Sequence, residues 1–180
     1  LSAIAGLNIS NTLNNVVNTF FLTMGIAISI VIGQLIGAGK LKEAKETDTK
    51  MITFSLMISL GVSALLLIAA PLFPRIYNTT GEIRYLATRF ILVYVLATPF
   101  NAFTNAAYFT LRSGGKTVMT FIFDSGFIWA VNVPVAMLLA HFTNLPIVWM
   151  FFIISMLDAI KSVVGFILVK KGDWLNIIVE

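Results

Sequence analysis

The chain has 180 residues, 58% of them hydrophobic and only 11% charged, with a formal net charge of +4 and a mean hydropathy of +0.94. That much apolar surface excludes an ordinary soluble globule and predicts an all-α polytopic membrane protein. With no Cys and a single His, His141, thiolate and multi-histidine metal sites are excluded, and no basic run suggests nucleic acid as a partner.

A membrane-crossing helix needs about 20 mainly apolar residues. Five stretches qualify, at 9–36, 51–72, 86–110, 117–140 and 145–169, joined by charged or turn-rich segments at 37–50, 73–85, 111–116 and 141–144. The joints are short, so the helices should be neighbours in an up-down bundle. No internal repeat or low-complexity segment interrupts them.

The first helix carries Asn8, Asn11, Asn15 and Asn18 at steps of three and four, with Asn14 at the edge of that face. Side-chain amides in lipid are costly, so this face must meet protein or water. Two readings are open: the wall of a polar cavity, or hydrogen bonds between helices, worth about 0.6 kcal/mol each on average. The helix closes on Gly33, Gln34, Gly37 and Gly39, glycines that read as a close-packed elbow, and a lysine-rich joint follows. Pro71 and Pro74 are expected to end the second helix.

The third helix repeats the polar pattern with Thr98, Asn101, Asn105 and Tyr108 on one face, Thr104 beside it, and Pro99 as a source of bending. In the fourth, Asp124 lies about two turns from Lys116 and reads either as a titrating group or as an anchor for the 111–116 joint. In the fifth, Asp158 and Lys161 are three residues apart and expected to pair. An ionisable residue at bilayer depth is a functional candidate by default, against the alternative of a self-neutralising ion pair. Trp149 and Trp174 fit interfacial anchors at the two ends of this helix.

The Lys and Arg distribution sets orientation. Lys40, Lys42, Lys45, Lys50, Arg112, Lys116, Lys170 and Lys171 fall on one side of the alternating helices; Arg75, Arg84 and Arg89 fall on the other. The first side, with the C-terminus, is expected to be cytoplasmic. Leu1 then lies outside, so a further helix is expected to precede it and the chain to begin mid-protein.

Three ordered motifs resemble the C-terminal lobe of the multidrug and toxic compound extrusion (MATE) family. They are Gly33-Gln34-x-x-Gly37-Ala38-Gly39-Lys40 with Glu43-Ala44, then Leu111-Arg112-Ser113-Gly114-Gly115-Lys116-Thr117 with Trp129 and Pro134, and finally Lys171-Gly172-Asp173-Trp174-Leu175. The resemblance implies most of one lobe of a two-lobe transporter, from the eighth to the twelfth helix, with the N-terminal lobe of the same protein as partner. It implies export of small organic, often cationic compounds by alternating access, in exchange for Na⁺ or H⁺, with no cofactor and no catalysis. It also implies residence in the plasma (inner) membrane, in contact with lipid.

On that comparison Asn8, Asn11, Asn15, Asn18, Asn101, Thr104, Asn105 and Tyr108 are candidates for the substrate cavity, with aromatics such as Phe100 and Phe103. Asp124, Asp158 and Lys161 are the weaker candidates for ion or proton coupling. Gly33, Gln34, Gly37, Gly39, Arg112, Gly114, Gly115 and Trp174 are structural. Some members carry a cation-binding carboxylate in the helix that corresponds to 86–110, where this chain has no Asp or Glu. A flippase of lipid-linked sugars is the related alternative, needing a more cationic cavity than Lys161 alone supplies. A non-transporting membrane scaffold and an intramembrane aspartyl protease are the remaining classes. The protease is disfavoured because residues 155–158 read Ser-Met-Leu-Asp.

Overall fold

The computed structural model describes residues 1–175. It holds five helices, each long and apolar enough to cross a membrane. They are α1 (Ser2–Gly37), α2 (Leu41–Leu72), α3 (Gly81–Ser113), α4 (Thr117–Phe142) and α5 (Ile147–Lys171). Among the described residues there is no strand.

The helices run further than their apolar windows. The segment 37–50 is not a lysine-rich loop: the turn is confined to residues 38–40, and α2 is helical from Leu41. Lys, Glu and Ala in this stretch are good helix formers. Ala44, Asp48 and Ile52 continue the buried face that Ser55, Ser59 and Ser63 extend. Nor does Pro71 stop α2, which passes it, ends at Leu72 and tightens into a 3₁₀ turn over Phe73–Ile76. At the head of α3, Thr80 caps Gly81–Ser113 by accepting from the Ile83 N–H, so the polar turn holding Glu82 and Arg84 is helical too.

The bundle is organised around α3, which packs against α1, α2 and α5. Its buried face is rich in small residues, including Ala87, Ala97, Ala102, Ala106 and Ala107. In lipid, where no hydrophobic force drives helices together, small side chains let backbones approach and gain dispersion contacts. Ile28, Ile32 and Ile36 of α1, four apart on one stripe, are fully buried in this contact region. By contrast α4 is packed over little of its length and meets the rest mainly through α5 and its own first turns. Its middle is π-helical, over Ile122–Gly126 and Ile128–Asn132.

At the end of the bundle where α1 stops, α2 starts and α3 stops, the three motifs meet. Gly39, with φ +71°, closes α1: Lys40 N–H donates to Leu35 O at 3.0 Å and Gly39 N–H to Ile36 O at 2.9 Å. This is a Schellman cap, which needs the left-handed conformation glycine adopts without strain. The elbow reading of the other two glycines does not hold within this chain. A Cβ at Gly33 or Gly37 would meet nothing within 4 Å, because both lie on the side of α1 turned away from α2 and α3. Among the motif glycines the close-packed one is Gly114, whose absent Cβ leaves room for the backbone of Trp174. Trp174 itself is not an interfacial anchor: it is 0% exposed, packs with Ile36, Ala44 and Leu111, and donates its indole N–H to Val169 O at 3.0 Å. Trp149 and Trp129 are exposed.

Candidate functional site

A polar cavity of about 50 Å³ lies between α1, α3 and α5, with room for a few water molecules. It is lined by Asn14 and Asn18 from α1, Tyr94, Thr98 and Asn101 from α3, and Ser155 and Asp158 from α5, with Phe21 as its apolar wall. These residues converge because polar positions recur at helical spacing on three helices and the central helix α3 brings the three faces together.

The lining is tied into the bundle by hydrogen bonds. Tyr94 Oη donates to Asn11 Oδ1 at 2.6 Å, bridging α3 to α1. The Asn105 amide donates to Asn101 Oδ1 at 2.9 Å, which leaves the Asn101 amide nitrogen to face the Asp158 carboxylate. Ser162 Oγ reaches Phe100 O at 3.2 Å and Asp158 O at 2.8 Å, tying α5 to α3 beside the cavity.

The expected pairing of Lys161 with Asp158 is corrected. Lys161 Nζ lies 2.6 Å from Asp124 Oδ1, across the α4–α5 interface, and 5.3 Å from the Phe123 ring centre. Asp124 lies within the π-helical turn Ile122–Gly126. The same contact corrects the reading of Asp124 as an anchor of the 111–116 joint. Asp158 is left inside the cavity with no cation within ion-pair distance among the described residues. Asp124, Asp158 and Lys161 together carry two carboxylates and one ammonium.

Of the cavity candidates from sequence, Asn18 and Asn101 line the cavity, while Asn11 and Asn105 support it from behind. Asn8 and Asn15 are exposed on the outer face of α1. Thr104 turns its hydroxyl back to Asn101 O, and Tyr108 packs on Phe109 and the core, so neither lines the cavity. Phe100 and Phe103 do not line it either. Gln34 and Arg112 are exposed. Thr98, Asn14 and Tyr94 supply surface that the named cavity set lacked; the spacing of Thr98 to Asn101 already carried part of that signal. A further residue escaped sequence reasoning altogether. Asp48 on α2 is 1% exposed and accepts a hydrogen bond from Thr110 Oγ1 at 2.6 Å. It falls in the 37–50 segment, which reads as a joint because its flanks are charged.

A family model described as MatE matches residues 1–138. The probable multidrug resistance protein YoeA of Bacillus subtilis is 28% identical over 152 residues, covering 82% of this chain and 32% of the relative. A probable multidrug resistance protein NorM of Oceanobacillus iheyensis is 27% identical over 124 residues, covering 69% of this chain and 28% of that protein. Multidrug and toxin extrusion protein 1 of Homo sapiens is 23% identical over 145 residues, covering 79% of this chain and 25% of its own length. The chain thus spans about a third or less of the curated relatives it matches. No solved structure matches it.

Proposed function

The chain belongs to the MatE family, and on that footing we propose that it forms most of one lobe of a secondary transporter that expels organic, often cationic compounds in exchange for Na⁺ or H⁺. Family membership and five apolar helices make it an integral membrane protein; we place it in the plasma membrane with the lysine-rich end cytoplasmic. One relative is named for multidrug and toxin extrusion and two for multidrug resistance, which supports a transporter and not an enzyme.

The observation that carries the reading is Asp158. A carboxyl facing a polar cavity inside an apolar bundle, with its nearest lysine held by another acid, leaves that region with one more acidic group than it has cations. An ionisable group at that depth is expensive and survives where it lines an ion or substrate path. Asn14, Asn18, Thr98 and Ser155 add oxygen ligands, the donor set suited to a hard monovalent cation or to the N–H groups of an organic amine. Alternating access then requires only that this cavity be opened to each side in turn as the lobes rock. The flippase alternative loses support, because a pyrophosphate needs a free cation and Lys161 is already bound to Asp124.

The test is transport by the full-length protein in proteoliposomes under imposed H⁺ or Na⁺ gradients. Uphill movement of a fluorescent organic cation, lost in Asp158→Asn, is expected. No gradient-driven movement of any organic cation tested would sink the antiporter reading. Full activity in Asp158→Asn would remove this cavity from it.

A further inference from the structure

A groove of about 770 Å³ runs between α4 and α5, away from the polar cavity. Its floor is apolar, with Val118, Ile122, Phe127 and Val131 on one side and Val164 and Leu168 on the other. It exists because α4 hardly packs on the bundle: the Lys161–Asp124 bond and the contact of Phe123 with Gly165 pin it to α5, and little else of its length is buried. From Lys116 to Val131 the lining extends about 22 Å along the helix axis, more than the ~15 Å depth of one leaflet.

Lys116 stands at the mouth of this groove, half-buried, at the end of the bundle that carries the lysines. Among the described residues it makes no ion pair. Arg112, at the end of α3 before the Gly114-Gly115 turn, is exposed. An apolar channel of acyl-chain length, lying within the span of two membrane helices and capped by an unpaired ammonium at headgroup level, has the chemistry of one occupant.

We propose that the α4–α5 groove binds an anionic phospholipid, its acyl chain lying along Val118 to Val131 and its phosphate held by Lys116. Binding there fills the space that the helices leave and lends α4 the packing it lacks. The site depends on membrane insertion alone, so it stands or falls separately from the transport reading.

The test uses the full-length protein in nanodiscs containing a photoactivatable phosphatidylglycerol, with a phosphatidylcholine probe in a parallel sample. Labelled peptides are quantified against the exposed α2 position Leu65. Preferential phosphatidylglycerol labelling at Val118 and Ile122 is expected. It should fall about fivefold in Lys116→Gln, the factor associated with one basic residue at an anionic surface, and be retained in Lys116→Arg. Equal labelling by the two probes, or labelling unchanged in Lys116→Gln, overturns the proposal. So does an unlabelled groove, as when another part of the protein or a second copy fills it.

Discussion

At the scale of single residues, the interaction that matters most is the choice Lys161 makes between two carboxylates. It lies 2.6 Å from Asp124 and within the electrostatic reach of Asp158, which it could equally neutralise. On the proposed function Asp124 is a positioning residue: by holding the ammonium on the α4 side it would leave Asp158 to a cation in the cavity. The variant Asp124→Asn should release Lys161 toward Asp158. Transport of an organic cation should then fall roughly tenfold, the factor that ~1.4 kcal/mol of competing pairing supplies. Adding Lys161→Met should restore a large part of the loss, because the competitor is gone. A purely structural pair would also recover when both partners are removed, because the uncompensated ammonium goes with Lys161, but its loss in Asp124→Asn would come with a lowered melting temperature. Initial uptake rates in proteoliposomes, with thermal stability of each variant as a control, decide between them. The pairing was not legible in sequence. Spacing of three residues favours Asp158, and nothing in the local string announces the contact across the α4–α5 interface.

At the scale of helices and turns, the sequence carried the existence of all five spans, because runs of apolar residues are dictated by the solvent they must meet. It carried the ends poorly. Charged residues read as loop, yet Leu41 to Lys50 is a helix whose buried face is Ala44, Asp48 and Ile52. Asp48 is not legible locally either, since its bond to Thr110 joins residues far apart in the chain. Glycine roles were also exchanged, because the string cannot say what stands opposite each position. Ala at Gly114 would drive a Cβ into the backbone of Trp174, whereas Ala at Gly33 meets open space. Gly114→Ala should therefore destabilise the full-length protein by about 1–3 kcal/mol, the usual cost of overpacking a filled site. Gly33→Ala should be neutral or stabilising, since Ala is better than Gly inside a helix by about 0.5–1 kcal/mol. Melting curves in detergent check both, and a Gly33→Ala variant that melts well below wild type would show that another part of the protein packs there.

At the scale of the whole molecule, the outer face of α1 is the feature that the chain alone leaves open. Asn8 and Asn15 are exposed, one turn or two from amides that line the inner cavity. An exposed amide on a membrane-crossing helix cannot rest against lipid, because each unsatisfied polar group there costs several kcal/mol. Water or another part of the protein must face it, and the stretch matched is only 25–32% of each relative's own length. A second lobe placed across a water-filled cleft satisfies Asn8 and Asn15 with solvent; a second lobe packed tightly on α1 satisfies them with hydrogen bonds. The two arrangements differ in reactivity, and the absence of any cysteine in the chain makes the measurement clean. In the first, Asn15→Cys reacts in the full-length protein with a membrane-impermeant thiol reagent at a rate that changes when substrate or a gradient shifts the lobes. Phe54→Cys, on the exposed apolar face of α2, stays inert because lipid covers it. If Asn15→Cys is as inert as Phe54→Cys under every condition, the outer Asn face is buried in a static interface. The path for substrate must then run through the cavity at Asp158 alone.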